Sequence, residues 1–140
     1  ANLGKRLVKS PKVYLRDCGL LHALLALDSL DALAGHPVYG ASWEGFVVEQ
    51  VLAIAEGWRA SFYRSAKGDE LDLVLEKRNR RIAIECKASS APTGARGFWT
   101  ALTDLEITEA YVVAPISEAF PLGQGAEAVP LGNLLARLGA

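Results

Sequence analysis

The sequence predicts an α/β domain, a mixed β-sheet flanked by helices on both faces. Three observations predict it. Three strand-like runs fall between residues 58 and 87, an apolar helical stripe precedes them, and a weaker helical pattern leads into the continuous apolar run AYVVAP at 110–115. Strands joined by short turns can form an antiparallel meander. A strand reached through a helical crossover lies parallel to its predecessor, with a right-handed connection. Elements in this order bury their apolar faces best as a sheet between helices.

Residues 12–16 (KVYLR) alternate as a short strand. Asp17 is placed as a helix N-cap before Leu20, Leu21, Leu24 and Leu25, giving a helix over 17–27. The segment 35–42 (GHPVYGAS) reads as a loop whose Ser42 caps a second helix over 43–57. Strands follow at 58–65, 70–76 and 81–87, the last two flanking the polar turn Lys77–Arg80. Phe98, Leu102 and Leu105 then repeat at i, i+4 and i+7, as on a helix. The run 110–115 has the uniform apolarity of a buried strand. A Gly-rich stretch at 123–125 reads as linker, without the Lys-Ser/Thr of a phosphate loop, before a short strand or turn and a helix over 131–138.

The chain has 140 residues, 51% hydrophobic and 22% charged, enough for one folded domain with a sizeable core. It contains no Met, so an excised or processed piece of something longer is expected. No apolar run approaches the roughly 18 residues of a membrane span, and no signal-peptide pattern opens the chain. Cys18 and Cys86 are too few for a disulfide framework or zinc site. The expected compartment is therefore cytoplasmic. A net charge of −1 argues against a dedicated high-affinity nucleic-acid binder. Basic clusters nevertheless occur at Lys5, Arg6, Lys9, Lys12 and Arg16, and again at Lys77, Arg78, Arg80 and Arg81.

The hairpin ELDLVLEKRNRRIAIECK carries the chemistry. Leu71, Leu73 and Leu75 alternate on one strand, and Ile82, Ile84 and Cys86 on the other. Burying both sets together requires opposing residue numbers to sum to an odd number, as Leu73 with Ile84 does. Asp72 then lies opposite or diagonal to Glu85, with Lys87 further along the same face beside Val74 and Ala83. Two close, half-buried carboxylates repel unless protonated or bridged by a cation, and a hard ion such as Mg²⁺ would bridge them. The competing reading is an exposed cross-strand ion-pair cluster.

In the preceding helix, Trp43, Val47, Val48, Val51, Ile54, Ala55 and Trp58 form one stripe with Glu44 near its middle, while Glu49 and Glu56 fall outside. A Glu inside an apolar stripe needs a partner, either an Arg such as Arg64 or the same metal. His22, His36, Cys86, Trp43, Trp58 and Trp99 read as core or loop residues.

Glu44, Asp72 within GDELD, and Glu85-Cys86-Lys87 resemble the PD-(D/E)XK nuclease superfamily, which includes archaeal Holliday-junction resolvases and restriction-endonuclease-like domains. The motifs span about residues 43–88, and the element order matches that fold's α-β-β-β-α-β core. Over nearly the whole chain, KSPKVYLRDCGLLHALL, GASWEGFVVEQ, FYRSAKGDELDLVLE and IAIECKAS resemble the C-terminal domain, described as of unknown function, of a prokaryotic AAA+ ATPase family. That resemblance implies residues 1–30 as the end of a winged-helix or linker region plus a helix, and 31–140 as the nuclease-like domain.

No position departs from the superfamily's pattern. The resemblance implies Asp72 and Glu85 as ligands of Mg²⁺ or Mn²⁺, and Glu44 as a third acid or a ligand through water. Lys87 would stabilise developing negative charge or orient the attacking water. The implied activity is metal-assisted phosphodiester hydrolysis, with Arg64, Arg78, Arg80 and Arg81 as phosphate contacts. Expected partners are DNA, with RNA as the alternative nucleic acid, an AAA+ ATPase module in the same parent chain, and a second copy of the chain. No membrane is expected. The alternative function is a non-catalytic nuclease-fold module for DNA binding or protein interaction.

Overall fold

The computed structural model describes residues 18–139. The expected strand at 12–16, the Asp17 cap and the first basic cluster lie outside the described residues. Five helices and six strands follow in the order α1 (Cys18–Leu24), α2 (Leu30–Ala34), α3 (Tyr39–Ile54), β1 (Arg59–Arg64), β2 (Glu70–Lys77), β3 (Arg80–Cys86), α4 (Arg96–Asp104), β4 (Glu109–Val113), β5 (Phe120–Gly123), β6 (Ala126–Val129) and α5 (Leu131–Gly139). The segment α3-β1-β2-β3-α4-β4 is the expected core order. The strands form one mixed sheet in the order β1-β2-β3-β4-β6-β5. β1, β2 and β3 are an antiparallel meander, and β4 pairs in parallel with β3 after the α4 crossover. Among the described residues no helix is long and apolar enough to cross a membrane.

The sheet lies between two helical layers. On one face Val47, Val51 and Ala55 of α3, with Leu134 and Leu138 of α5, pack on Leu73, Leu75, Ile82, Ile84 and Val113. On the other, Phe98, Ala101 and Leu102 of α4 pack on Val74, Ala83 and Val112. The hairpin parity is as expected, with Leu73 opposite Ile84 and Lys77 opposite Arg80.

One residue breaks the alternation. From Ser61 to Tyr63 β1 advances two positions while β2 goes from Val74 to Leu71, three positions, so β2 carries a bulge at 72–73. Leu71 was expected to share a face with Leu73 and Leu75. It packs instead in the α4 layer, while Leu73 packs under α3.

Other expectations change for local reasons. α3 begins at Tyr39, behind Pro37, and not at Ser42. Ser42 is inside α3, and its Oγ lies 2.6 Å from His22 Nε2, which fastens α1 onto α3. The first helix stops at Leu24, short of 27, because Ala26 adopts φ 53° and the Leu27 N–H donates back to His22 O at 2.8 Å. The expected division between residues 30 and 31 falls inside α2. The Gly-rich stretch is the turn of the β5–β6 hairpin and not a linker. Gly125 has φ 79°, and a Cβ there would stand 2.1 Å from Thr108 O.

Candidate functional site

Pairing between β2 and β3 stops at Leu73 and Ile84. One step on, the Asp72 carboxylate replaces a main-chain acceptor, its Oδ2 accepting the Cys86 N–H at 2.8 Å. On the other side of β3, pairing with β4 runs to Cys86 and Val113, and the Lys87 N–H donates to Val113 O at 3.0 Å. The same carbonyl accepts Trp43 Nε1 at 3.0 Å, tying the start of α3 to the end of β4. The end of β3 is thus held from both sides. It presents Glu85 and Lys87 beside Asp72.

Asp72 and Glu85 are each 6% exposed. That rules out the exposed ion-pair reading. Burial, and then the neighbouring Asp72 charge, push the Glu85 carboxyl up to about 7, while Lys87 pulls the other way. Lys87 Nζ stands 3.0 Å from Glu85 Oε1. Desolvation works against the Lys87 ammonium, but the bond to Glu85 and the charges of Asp72 and Glu70 outweigh it and raise its pKa. Glu85 Oε2 is buried and has no hydrogen-bond partner among the described residues. An unsatisfied buried acceptor costs roughly 1–3 kcal/mol, more when charged. Two buried carboxylates with one vacant oxygen suit a hard divalent ion, which takes one or two protein carboxylates and keeps several waters.

The structure brings Asp72, Glu85 and Lys87 together. Among the described residues no three His, Cys, Asp or Glu side chains form a group able to hold a metal. Glu44 is half-buried on α3. A cavity of about 320 Å³ between α3 and β1 has Val48, Leu52 and Phe62 in its walls, with Glu49 and Asp72 as its acids. Glu49, expected in solvent, is therefore half-buried beside Asp72. A helical wheel places it about 140° from Glu44, and only the way β1 closes against α3 brings it in.

Arg64 does not serve as Glu44's ion-pair partner; it pairs with Glu70, its Nη2 3.0 Å from Oε2. Glu70, missed in the sequence, acts electrostatically on both Glu85 and Lys87. Its place two residues before Asp72 on a strand was the available signal. Arg80 and Arg81 are engaged by Glu109 and Glu76, at 2.7 and 2.8 Å. Arg78 is exposed at the hairpin turn. Cys86 and Trp58 pack against the α3-side core, Trp99 Nε1 donates to Gly94 O at 3.0 Å, and His36 Nδ1 accepts from the Val38 N–H at 3.1 Å.

A family model described as "Domain of unknown function (DUF4143)" matches residues 39–134, from the first turn of α3 into α5. The chain is 43% identical over 122 residues to "Uncharacterized protein Mb2031c" of Mycobacterium bovis and, equally, to "Uncharacterized protein Rv2008c" of Mycobacterium tuberculosis. Those alignments cover 87% of this chain and 28% of each relative. No solved structure matches the chain.

Proposed function

The chain belongs to the DUF4143 family, a domain of unknown function, and we propose that it is a metal-dependent phosphodiester hydrolase of the nuclease type, acting on DNA. One observation carries this reading. Two buried carboxylates meet at the open end of a hairpin, one oxygen of Glu85 lacks a partner among the described residues, and an ammonium stands 3.0 Å from the other. A purely structural ion pair gains nothing from a second buried carboxylate, which raises its electrostatic cost.

Asp72 and Glu85 would hold Mg²⁺ or Mn²⁺, with Glu44 joining only through water. Bound there, the ion would supply Lewis-acid polarisation of a phosphate and a more acidic water. Lys87 supplies a fixed positive charge where negative charge develops, its backbone pinned to β4 and its ammonium oriented by Glu85. Asp72 has a second duty, since it also terminates the β2–β3 ladder at Cys86.

The chain spans 28% of the length of its two curated relatives. We take the remaining length in such proteins to include the AAA+ ATPase module that the sequence motifs imply, with the present domain as its DNA-processing end.

Titration calorimetry with Mn²⁺ and a plasmid-nicking assay test the reading together. The intact chain is expected to bind Mn²⁺ and nick DNA, and Asp72→Ala to lose both. No heat of binding at millimolar Mn²⁺ would leave a non-catalytic module, and nicking by the Ala variant would assign the activity to a contaminant.

A further inference from the structure

We propose that the turn of the β2–β3 hairpin is a phosphate-binding site distinct from the carboxylates. Six residues separate Asp72 from Arg78 along β2 and its turn. At roughly 3.3 Å per residue, the turn lies about 20 Å from the acids, too far for both to touch one phosphate.

The turn walls a cavity of about 540 Å³ lined by Trp58, Lys77, Arg78, Asn79, Arg80 and Leu138. Lys77 Nζ sits 5.8 Å and Arg80 Cζ 5.5 Å from the centre of the Trp58 ring, which orients both cations without neutralising them. The acids around the turn are largely occupied. Glu109 holds Arg80 through two bonds of 2.9 and 2.7 Å, and Glu76 holds Arg81. Among the described residues Lys77 Nζ makes no ion pair and donates to the main-chain carbonyl of Glu56 at 3.5 Å. Arg78 makes no ion pair among the described residues.

Arg78 also occupies φ 54°. Gly, Asn or Asp adopts that conformation more readily, so a guanidinium is held at the apex against a backbone preference. A fork of N–H donors, an ammonium and the Asn79 amide around one cavity match the oxygens of a phosphate. The occupant is a phosphate group, from a nucleic-acid strand or from a free phosphate ester, and its binding does not require cleavage at the carboxylates.

The test uses the intact chain in EDTA at low salt, where no metal-dependent cleavage occurs. Anisotropy of a labelled single-stranded oligonucleotide reads binding, and pyrophosphate serves as competitor. Arg78→Gly relieves the backbone, so it should melt no lower than wild type yet bind several-fold more weakly. Arg78→Glu should weaken binding about tenfold or more, and Arg78→Lys should retain most of it. Binding is read in EDTA, so its outcome stands apart from the hydrolase reading. Competition by pyrophosphate assigns the site to free phosphate esters as well as strands; its absence assigns it to strands. Oligonucleotide binding unchanged within twofold in Arg78→Glu overturns the proposal.

Discussion

The two ends of the β2–β3 hairpin treat their charges in opposite ways. At the turn, Arg80 and Arg81 are matched one-to-one with Glu109 and Glu76, and all four side chains retain solvent contact. At the open end, Asp72 and Glu85 are buried, the Lys87 ammonium stands 3.0 Å from Glu85, and Glu85 Oε2 has no hydrogen-bond partner among the described residues. Exposed pairs contribute about 0–1 kcal/mol each because water already solvates the separated charges. Buried charges have lost that solvation, so each missing partner costs several times more. The sequence is similarly polar at both ends. Depth leaves the charges at one end solvated and puts those at the other under electrostatic stress.

Among the substitutions, the largest expected effect comes from removing the ammonium that stands 3.0 Å from Glu85 at the buried end. Lys87→Met should destabilise the domain by about 2 kcal/mol at pH 8, limited because Glu85 can take up a proton. Urea unfolding measures it, and adding Glu85→Gln should restore most of the loss. If the double variant stays as unstable as the single one, Lys87 acts through packing instead of charge.

Next comes pH. The Glu85 carboxyl is raised from 4.5 to about 7, so the folded chain holds this proton more tightly than the unfolded chain does. Its contribution is fully present below the ordinary carboxylate value and is lost as pH climbs through about 7. With Glu85 only 6% exposed, wild-type stability should fall by up to about 3 kcal/mol between about pH 4 and pH 8. Glu85→Gln should flatten that slope. Millimolar Mn²⁺ at pH 8 should raise the melting temperature of wild type and leave the Gln variant unmoved. A Gln variant with the full wild-type slope would place the stress elsewhere.

The smallest effect belongs to the turn. Glu109→Gln breaks the two-bond contact to Arg80 at a half-exposed site, and thermal unfolding should register less than about 1 kcal/mol. A loss comparable to that of Lys87→Met would abolish the contrast between the two ends.

Short-range features of the fold were readable from the residue pattern. The odd-sum register of Leu73 with Ile84 follows because side chains alternate with a period of two and one face must be apolar. The parallel pairing of β4 follows from the helical crossover before it. β5 was not readable: it holds four residues including Pro121, and a sheet edge tolerates what a central strand does not. Nor was Ser42, whose polar side chain suggests a helix cap but is satisfied by His22, twenty positions away.

By itself the sequence determined the register of the β2–β3 hairpin, which charges share a strand, and that Asp72 falls at the level of Glu85, because these depend on neighbours within a few residues. Tertiary structure alone decided which face each residue finally serves. Strict alternation would seat Asp72 with Val74 in the α4 layer, across the sheet from α3 and Glu44. The bulge at 72–73 breaks the alternation, and Asp72 with Leu73 opens onto the cavity beside Glu49. An extra residue in one strand exists only relative to its partner, so it comes into being when β1 and β2 pair.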